Sequence, residues 1–140
     1  MTTLTQSVPV SGTSRSSLPF HLGAGADVLV GLELALFGPD VARLTMPALD
    51  TLLGADPGSV LRVLGLALIV FAIDTVLVAR SHGRLGRLRA WIANANLATA
   101  ALGALLLLAA HAALSPIGIA AVAAICVALA VIGAWQRRNS

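Results

Sequence analysis

The pattern of apolar positions divides the chain into four long hydrophobic stretches separated by short polar segments. Three of them, residues 60–79, 91–110 and 117–135, consist almost entirely of Leu, Ala, Val, Ile and Gly. A fourth, residues 19–38, is less pure because two acidic residues interrupt it. Each stretch approaches the ~20 residues that a helix needs to cross the hydrocarbon core of a bilayer.

We therefore predict an all-α fold, a transmembrane up-down four-helix bundle with helices at about residues 18–37, 59–79, 90–112 and 116–135. The transmembrane domain covers residues 18–136, with a flexible tail at 1–17 and a polar end at 137–140. The alternative for the first stretch is a cleaved signal peptide, which its length and its lack of a clear cleavage site disfavour.

Proline and glycine mark the predicted helix boundaries. Gly38 and Pro39 end the first helix, because proline cannot continue the hydrogen-bond ladder. Ser115 and Pro116 suit the start of the fourth, with Ser as N-cap and Pro at the first helical position. Residues 40–54 fit either a short interfacial helix or a partly ordered loop.

Composition supports a membrane location. Hydrophobic residues make up 58% of the chain and charged residues 11%, against about 25% charged in an average soluble domain. A buried helical core of a soluble protein is the alternative. All nine basic residues are Arg, so a retinal Schiff base, which needs a Lys, is excluded. The lone cysteine, Cys126, permits no intrachain disulfide.

The arginines predict the orientation. They concentrate in the amino tail, the loop between helices 2 and 3, and the carboxyl end, which share one side of a four-span protein: Arg15, Arg80, Arg84, Arg87, Arg89, Arg137 and Arg138. By the positive-inside rule, both termini are cytoplasmic and the protein is multi-pass in the cytoplasmic (inner) membrane of a bacterium. Since the arginines flank apolar stretches, they indicate topology rather than a nucleic-acid partner.

Polar side chains at membrane depth are costly and often functional. Six of them form the hypothetical internal polar layer or transport site: Asp27, Asp74, Asn96, Glu33, Arg62 and His111. Up-down topology places the two aspartates and Asn96 in the inner half of the membrane. It places Glu33 and Arg62 in the outer half, with His111 near the outer end.

Helical angles allow two pairs between helices 1 and 2. Glu33 can meet Arg62 as an ion pair, although Arg62 can instead snorkel to the surface. Asp27 can lie beside Asp74, where two carboxyls in low dielectric would hold at least one proton. Alternatively, each aspartate is a separate carboxyl hydrogen-bonded to a neighbour. Asn96, on a small polar face, serves an internal site or simply bonds one helix to another.

Other candidate chemistry is weaker. The loop arginines, Arg80, Arg84, Arg87 and Arg89, can contact anionic lipid headgroups or serve topology alone. Haem or a pigment is a minor alternative, because His21 and His111 lie at opposite depths and His82 lies in a loop. We otherwise expect no cofactor, no metal site and no catalytic residue, since no known catalytic or metal-ligand spacing occurs.

Short motifs carry a resemblance at the level of layout. They are Leu61–Leu66 opening helix 2, the arginine-rich loop, and Ala93–Leu97 early in helix 3. Over about residues 19–136 the chain resembles small four-helix integral membrane proteins of high-GC bacteria, for which no activity is established. The resemblance implies a bacterial integral membrane protein and transfers no functional residue.

Three functions fit these features. The leading hypothesis is a non-enzymatic accessory or scaffold module that packs with itself or with a larger membrane complex, through faces of small residues. The second is a small oligomeric transporter or proton/cation pathway that uses the intramembrane carboxylates. The third is an enzyme for a lipid-phase substrate, with Glu33, Arg62 and His111 at the outer leaflet.

Overall fold

The chain folds into four long helices. A computed structural model describes residues 16–81 and 85–140. The helices are α1 (Leu18–Thr45), α2 (Pro57–Arg80), α3 (Gly86–Ala110), which ends in a 3-10 turn at His111–Ala113, and α4 (Pro116–Arg138). All four are long and apolar enough to cross a membrane. The predicted all-α four-helix architecture is confirmed.

Helix α1 consists of two helical segments that meet at a kink. The break falls at Phe37, whose φ of −114° and ψ of 17° are not helical, and this is where the sequence predicts the first helix to end; the second segment continues to Thr45. Proline removes one hydrogen bond and clashes with the preceding turn, and a single distorted residue relieves that clash. The segment beyond the kink, residues 38–45, is the helical part of the 40–54 region, and the remainder of that region forms turns.

A tight turn leads from α1 to α2. Leu52 and Ala55 exchange both backbone hydrogen bonds, at 2.9 and 3.1 Å. Between them Leu53 (φ 54°) and Gly54 (φ 79°) are both left-handed, as a two-residue type I′ turn requires. Asp56 then caps α2 by accepting a hydrogen bond from the Ser59 backbone N–H at 2.8 Å. That bond lowers the pKa of the Asp56 carboxyl.

The helices pack as two close antiparallel pairs. α1 lies along α2 and α3 lies along α4, and α1 also contacts α4, whereas α2 and α3 barely touch. The order around the bundle is therefore α2–α1–α4–α3. The sparse contact between α2 and α3 leaves an open face on that side of the bundle.

Four glycines bring α1 and α2 into backbone contact, and we call Gly31, Gly38, Gly58 and Gly65 the glycine seam. A Cβ on Gly65 would lie 2.5 Å from the Gly31 carbonyl oxygen, and one on Gly38 would lie 2.6 Å from the Gly58 oxygen. On each helix the two glycines are seven residues apart, so they recur on the same face. Small residues at such positions let membrane helices approach closely.

The two ends of the bundle are fastened differently. At the end where α4 starts, the Ser115 backbone N–H donates to the Thr45 carbonyl at 2.9 Å, and the Ser115 hydroxyl donates to the Leu44 carbonyl at 2.6 Å. At the opposite end Phe20 is fully buried with Val78 and Ile92. The end of α1 is thereby tied to α4, and its start to α2 and α3.

Gly65→Ala tests the seam. The new methyl group would meet the backbone of Gly31 and Ala35, so we expect a loss of about 1–3 kcal/mol in the free energy of unfolding, as for other overpacked sites. The matched control is Gly25→Ala, whose Cβ meets nothing within 4 Å and which should be neutral or gain up to about 1 kcal/mol. Unfolding in mixed detergent micelles measures the stability of both variants. Equal stability of the two would contradict the close packing of α1 on α2 at the glycine seam.

Candidate functional site

A small cavity lies at the centre of the bundle and receives side chains from all four helices. Its volume is about 100 Å³, and Asp27 and Asn96 are its polar side chains. The apolar wall comes from α1, α2 and α4: Gly23, Ala26, Val30, Leu68, Ile125, Ala128, Leu129 and Ile132. Asp27 is 7% exposed and Asn96 is 5% exposed, so both are inside the protein rather than in contact with lipid.

A chain of buried amides runs from this cavity toward the start of α1. The Asn96 Nδ2 donates to the Gln136 Oε1 at 2.8 Å, and the Gln136 Nε2 donates to the Pro19 carbonyl at 3.3 Å. Gln136 is fully buried. Gly23 makes room for it, since a Cβ there would lie 2.8 Å from the Gln136 Nε2. These bonds connect α3, α4 and α1.

Asp27 lies near these hydrogen-bonded amides but takes no part in either hydrogen bond. Within the described ranges, no group donates a hydrogen bond to its carboxyl. The carboxyl borders the cavity, which has room for a few water molecules at about 30 Å³ each. The arrangement can hold a proton, or accept hydrogen bonds from water, next to the Asn96 amide.

Asp74 does not lie with Asp27. It is exposed and borders a groove of about 430 Å³ between α2 and α3, with Phe71 and Trp91 among the lining residues. At about 100° per residue, Asp74 is turned about 180° from Gly65, while Asp27 is only about 40° from Gly31. The two aspartates, which were predicted to be neighbours, are therefore apart. The contact between Gly31 and Gly65 turns Asp27 toward the inside of the bundle and Asp74 toward its surface.

The predicted Glu33–Arg62 pair is separated in the same way. Both residues are described and both are exposed. The stem of Arg62 packs near Gly38, whereas Glu33 lies about 200° around α1 from Gly31. The seam therefore brings Arg62 to the α1–α2 side and leaves Glu33 on the opposite face of its helix.

The histidines do not converge. His111 is exposed at the end of α3, with its Nδ1 at 3.0 Å from the Leu108 carbonyl. His21 is exposed at the start of α1, with its Nδ1 at 2.9 Å from the Ser17 carbonyl. His82, which the haem alternative also considered, lies outside the described residues. In the described part of the chain, no group of three His, Cys, Asp or Glu side chains is placed to hold a metal.

The arginines expected at lipid headgroups occupy different environments. Arg80 and Arg87 are exposed, and Arg84 lies outside the described residues. Arg89 is 5% exposed: its Nη2 donates to the Ala79 carbonyl at 2.8 Å, and its guanidinium lies 5.3 Å from the centre of the Phe20 ring. Its predicted headgroup contact is therefore wrong. The free carbonyls at the end of α2 attract this cation inward.

Sequence reasoning missed Gln136 as well as the position of Arg89. Gln136 stands between Trp135 and two arginines, at the last residue of the predicted transmembrane domain, and is not among the predicted site residues. A signal was present, because Gly133, Ile132 and Leu129 precede it at spacings of three, four and seven residues. Those spacings place Gln136 on one helical face with residues that line the cavity.

The comparisons with known proteins give no identification. No protein-family model, no curated protein and no solved structure matches this chain. The length and apolar character of α1–α4 support a small multi-pass membrane protein of the four-helix class.

Gln136→Leu tests the buried amide chain. It keeps the side-chain volume but leaves the buried Asn96 Nδ2 without its acceptor, so we expect a loss of about 1–2 kcal/mol in unfolding free energy. Arg137→Leu, at the next and exposed position, is the control and should change little. In a double-mutant cycle with Asn96→Leu, additive effects would show that this hydrogen bond does not stabilise the fold.

Proposed function

We propose that this chain is a non-enzymatic accessory or scaffold module of the bacterial cytoplasmic membrane that packs with itself or with a larger membrane complex. The observation that carries the proposal is Glu33, a carboxyl on the outer surface of α1 at membrane depth. Without a partner subunit this carboxyl would face lipid.

The depth of Glu33 follows from the seam. Gly31, two residues before Glu33, contacts Gly65. Gly65 lies eight residues after the first residue of α2, a distance of about 12 Å along that helix. Glu33, two residues further along α1, is then about 9 Å below the level at which α2 begins, which lies within the apolar span. A charged group facing lipid there costs several kcal/mol, and such residues normally face protein or water. A hydrogen-bond donor on an adjacent subunit would remove that cost.

Asp74 supports the same conclusion on another face. It is exposed six residues before Arg80, about 9 Å from the end of α2. Trp91 is 60% exposed across the groove between α2 and α3. A groove that joins a carboxyl to large apolar side chains suits a helix from a companion subunit.

The proposed orientation of the protein in the membrane follows from the distribution of charged residues between the two ends of the bundle. Arg80, Arg87, Arg137 and Arg138 stand at the same end of the helix bundle. The opposite end has the acidic turns between α1 and α2. By the positive-inside rule, the arginine-rich end and both termini are cytoplasmic.

Glu33→Ala tests the assembly. Loss of an interhelical hydrogen bond should raise the dissociation constant of the complex by about 3- to 30-fold, measured by native mass spectrometry from gentle detergent or by subunit-exchange fluorescence in vesicles. Glu33→Gln should retain most of the assembly, because the amide still hydrogen-bonds. Leu105→Ala, at a 64% exposed position of α3, is the control. A monomeric chain without companion subunits would refute the proposal.

A proton or cation pathway is the second candidate, and the central cavity favours it. Asp27 and Asn96 face one internal volume, as a carrier site requires. The other residues of the hypothetical transport site, Asp74, Glu33, Arg62 and His111, are exposed. A pathway through the bundle would therefore use Asp27 and the amides rather than the full set.

Asp27→Asn tests this pathway. The substitution preserves shape and removes the ionisable group, so proton flux into proteoliposomes, followed with a pH-sensitive dye, should fall to the background of empty vesicles. Asp74→Asn, which alters a carboxyl outside the cavity, should leave flux unchanged. If the unmodified protein conducts no protons, sodium or potassium, the pathway is excluded while the scaffold proposal stands.

A further inference from the structure

A wide groove runs along the joint between α1 and α2 on the arginine-rich half of the bundle. Its volume is about 970 Å³, and its lining residues include Gly25, Leu29, Ile73 and Leu77. Gly25 leaves the groove open, since a Cβ there would meet nothing within 4 Å. We call this feature the α1–α2 groove.

The polar residues of the α1–α2 groove lie at one end. His21, near the start of α1, and Arg80, at the last residue of α2, both line it. From His21 to Leu29 the groove extends over eight residues of α1, about 12 Å. That length is close to one leaflet of a hydrocarbon core about 30 Å thick. The groove therefore starts at headgroup level and ends near the middle of the bilayer.

The charge at the headgroup end is positive. Arg80 is exposed, and no acidic side chain is among the described residues that line the groove. The two aspartates of this half lie elsewhere, Asp27 at the central cavity and Asp74 in the groove between α2 and α3. An Arg guanidinium presents paired N–H donors that match a phosphate.

We propose that the α1–α2 groove binds one anionic phospholipid of the leaflet on the arginine-rich side. The phosphate contacts the Arg80 guanidinium, with His21 beside it at the same end of the groove, and an acyl chain lies along Gly25 and Leu29. A helix from a second copy would cover the apolar wall, but it would bring further arginines to the same end of the bundle, so charge complementarity favours the lipid. This site does not depend on the proposed assembly.

Native mass spectrometry of the full chain tests the site, with phosphatidylglycerol and phosphatidylcholine of identical acyl chains as probes. We expect one phosphatidylglycerol to be retained in preference to phosphatidylcholine. Arg80→Gln should weaken that retention by roughly fivefold, the share of one basic residue near an anionic surface. Arg138→Gln, an exposed arginine on the same side, is the control and should leave retention unchanged.

Gly25→Leu provides an independent arm, because it fills the groove without altering charge. Retention of both lipids should fall together, while thermal unfolding of the variant confirms that it is folded. Equal retention of the two lipids by the unmodified chain would overturn the proposal, as would an Arg80→Gln variant that binds phosphatidylglycerol normally. If Gly25→Leu instead dissociates a dimer and leaves lipid retention unchanged, the groove holds a second copy and the lipid site is wrong.

Discussion

Backbone contact between α1 and α2 is the constraint on which the rest of the structure depends. The glycine seam holds the two helices at a distance that no larger residue would permit, and it fixes how each helix is rotated about its axis. That rotation decides which polar side chains are inside. It directs Asp27 to the central cavity and leaves Glu33 and Asp74 on the outer surface. The rotation of a helix has larger energetic consequences in a membrane than in water, because a carboxyl on the outer surface faces hydrocarbon instead of solvent.

Hydrophobic periodicity predicted the fold class and the approximate spans, because membrane helices must satisfy their backbone hydrogen bonds internally and be long enough to cross. It also predicted the break before Pro39, which falls at Phe37, but left open whether the chain becomes helical again beyond it. It failed for the pairs of polar residues. The angular offsets permit both pairs only if the paired residues lie on the contacting faces of α1 and α2, whereas those faces are set by the contact between Gly31 and Gly65. Helical spacing alone left that contact open.

For the candidate site, too, sequence reasoning identified only some of the buried polar residues. Asp27 and Asn96 were predicted individually, since polar residues inside apolar helices stand out in any sequence. Gln136 and Arg89 were not, because each lies among other polar residues near a helix end, where an exposed position is the usual expectation. Both are buried by contacts with the first turn of α1, Gln136 through the Pro19 carbonyl and Arg89 through the Phe20 ring. Such contacts join residues separated by up to 117 positions, and no local pattern encodes them.

The hydrogen bonds of Ser115 to the end of α1 bear on how the protein is made. α1 and α2 precede α3 and α4 in the chain and carry the whole glycine seam, so this hairpin can close before the two later helices are synthesised. The carbonyls of Leu44 and Thr45 receive their donors only when Ser115 arrives about 70 residues later. The amide of Gln136 reaches Pro19 later still. Assembly can then proceed from the α1–α2 hairpin to a bundle in which α4 bonds to both ends of α1.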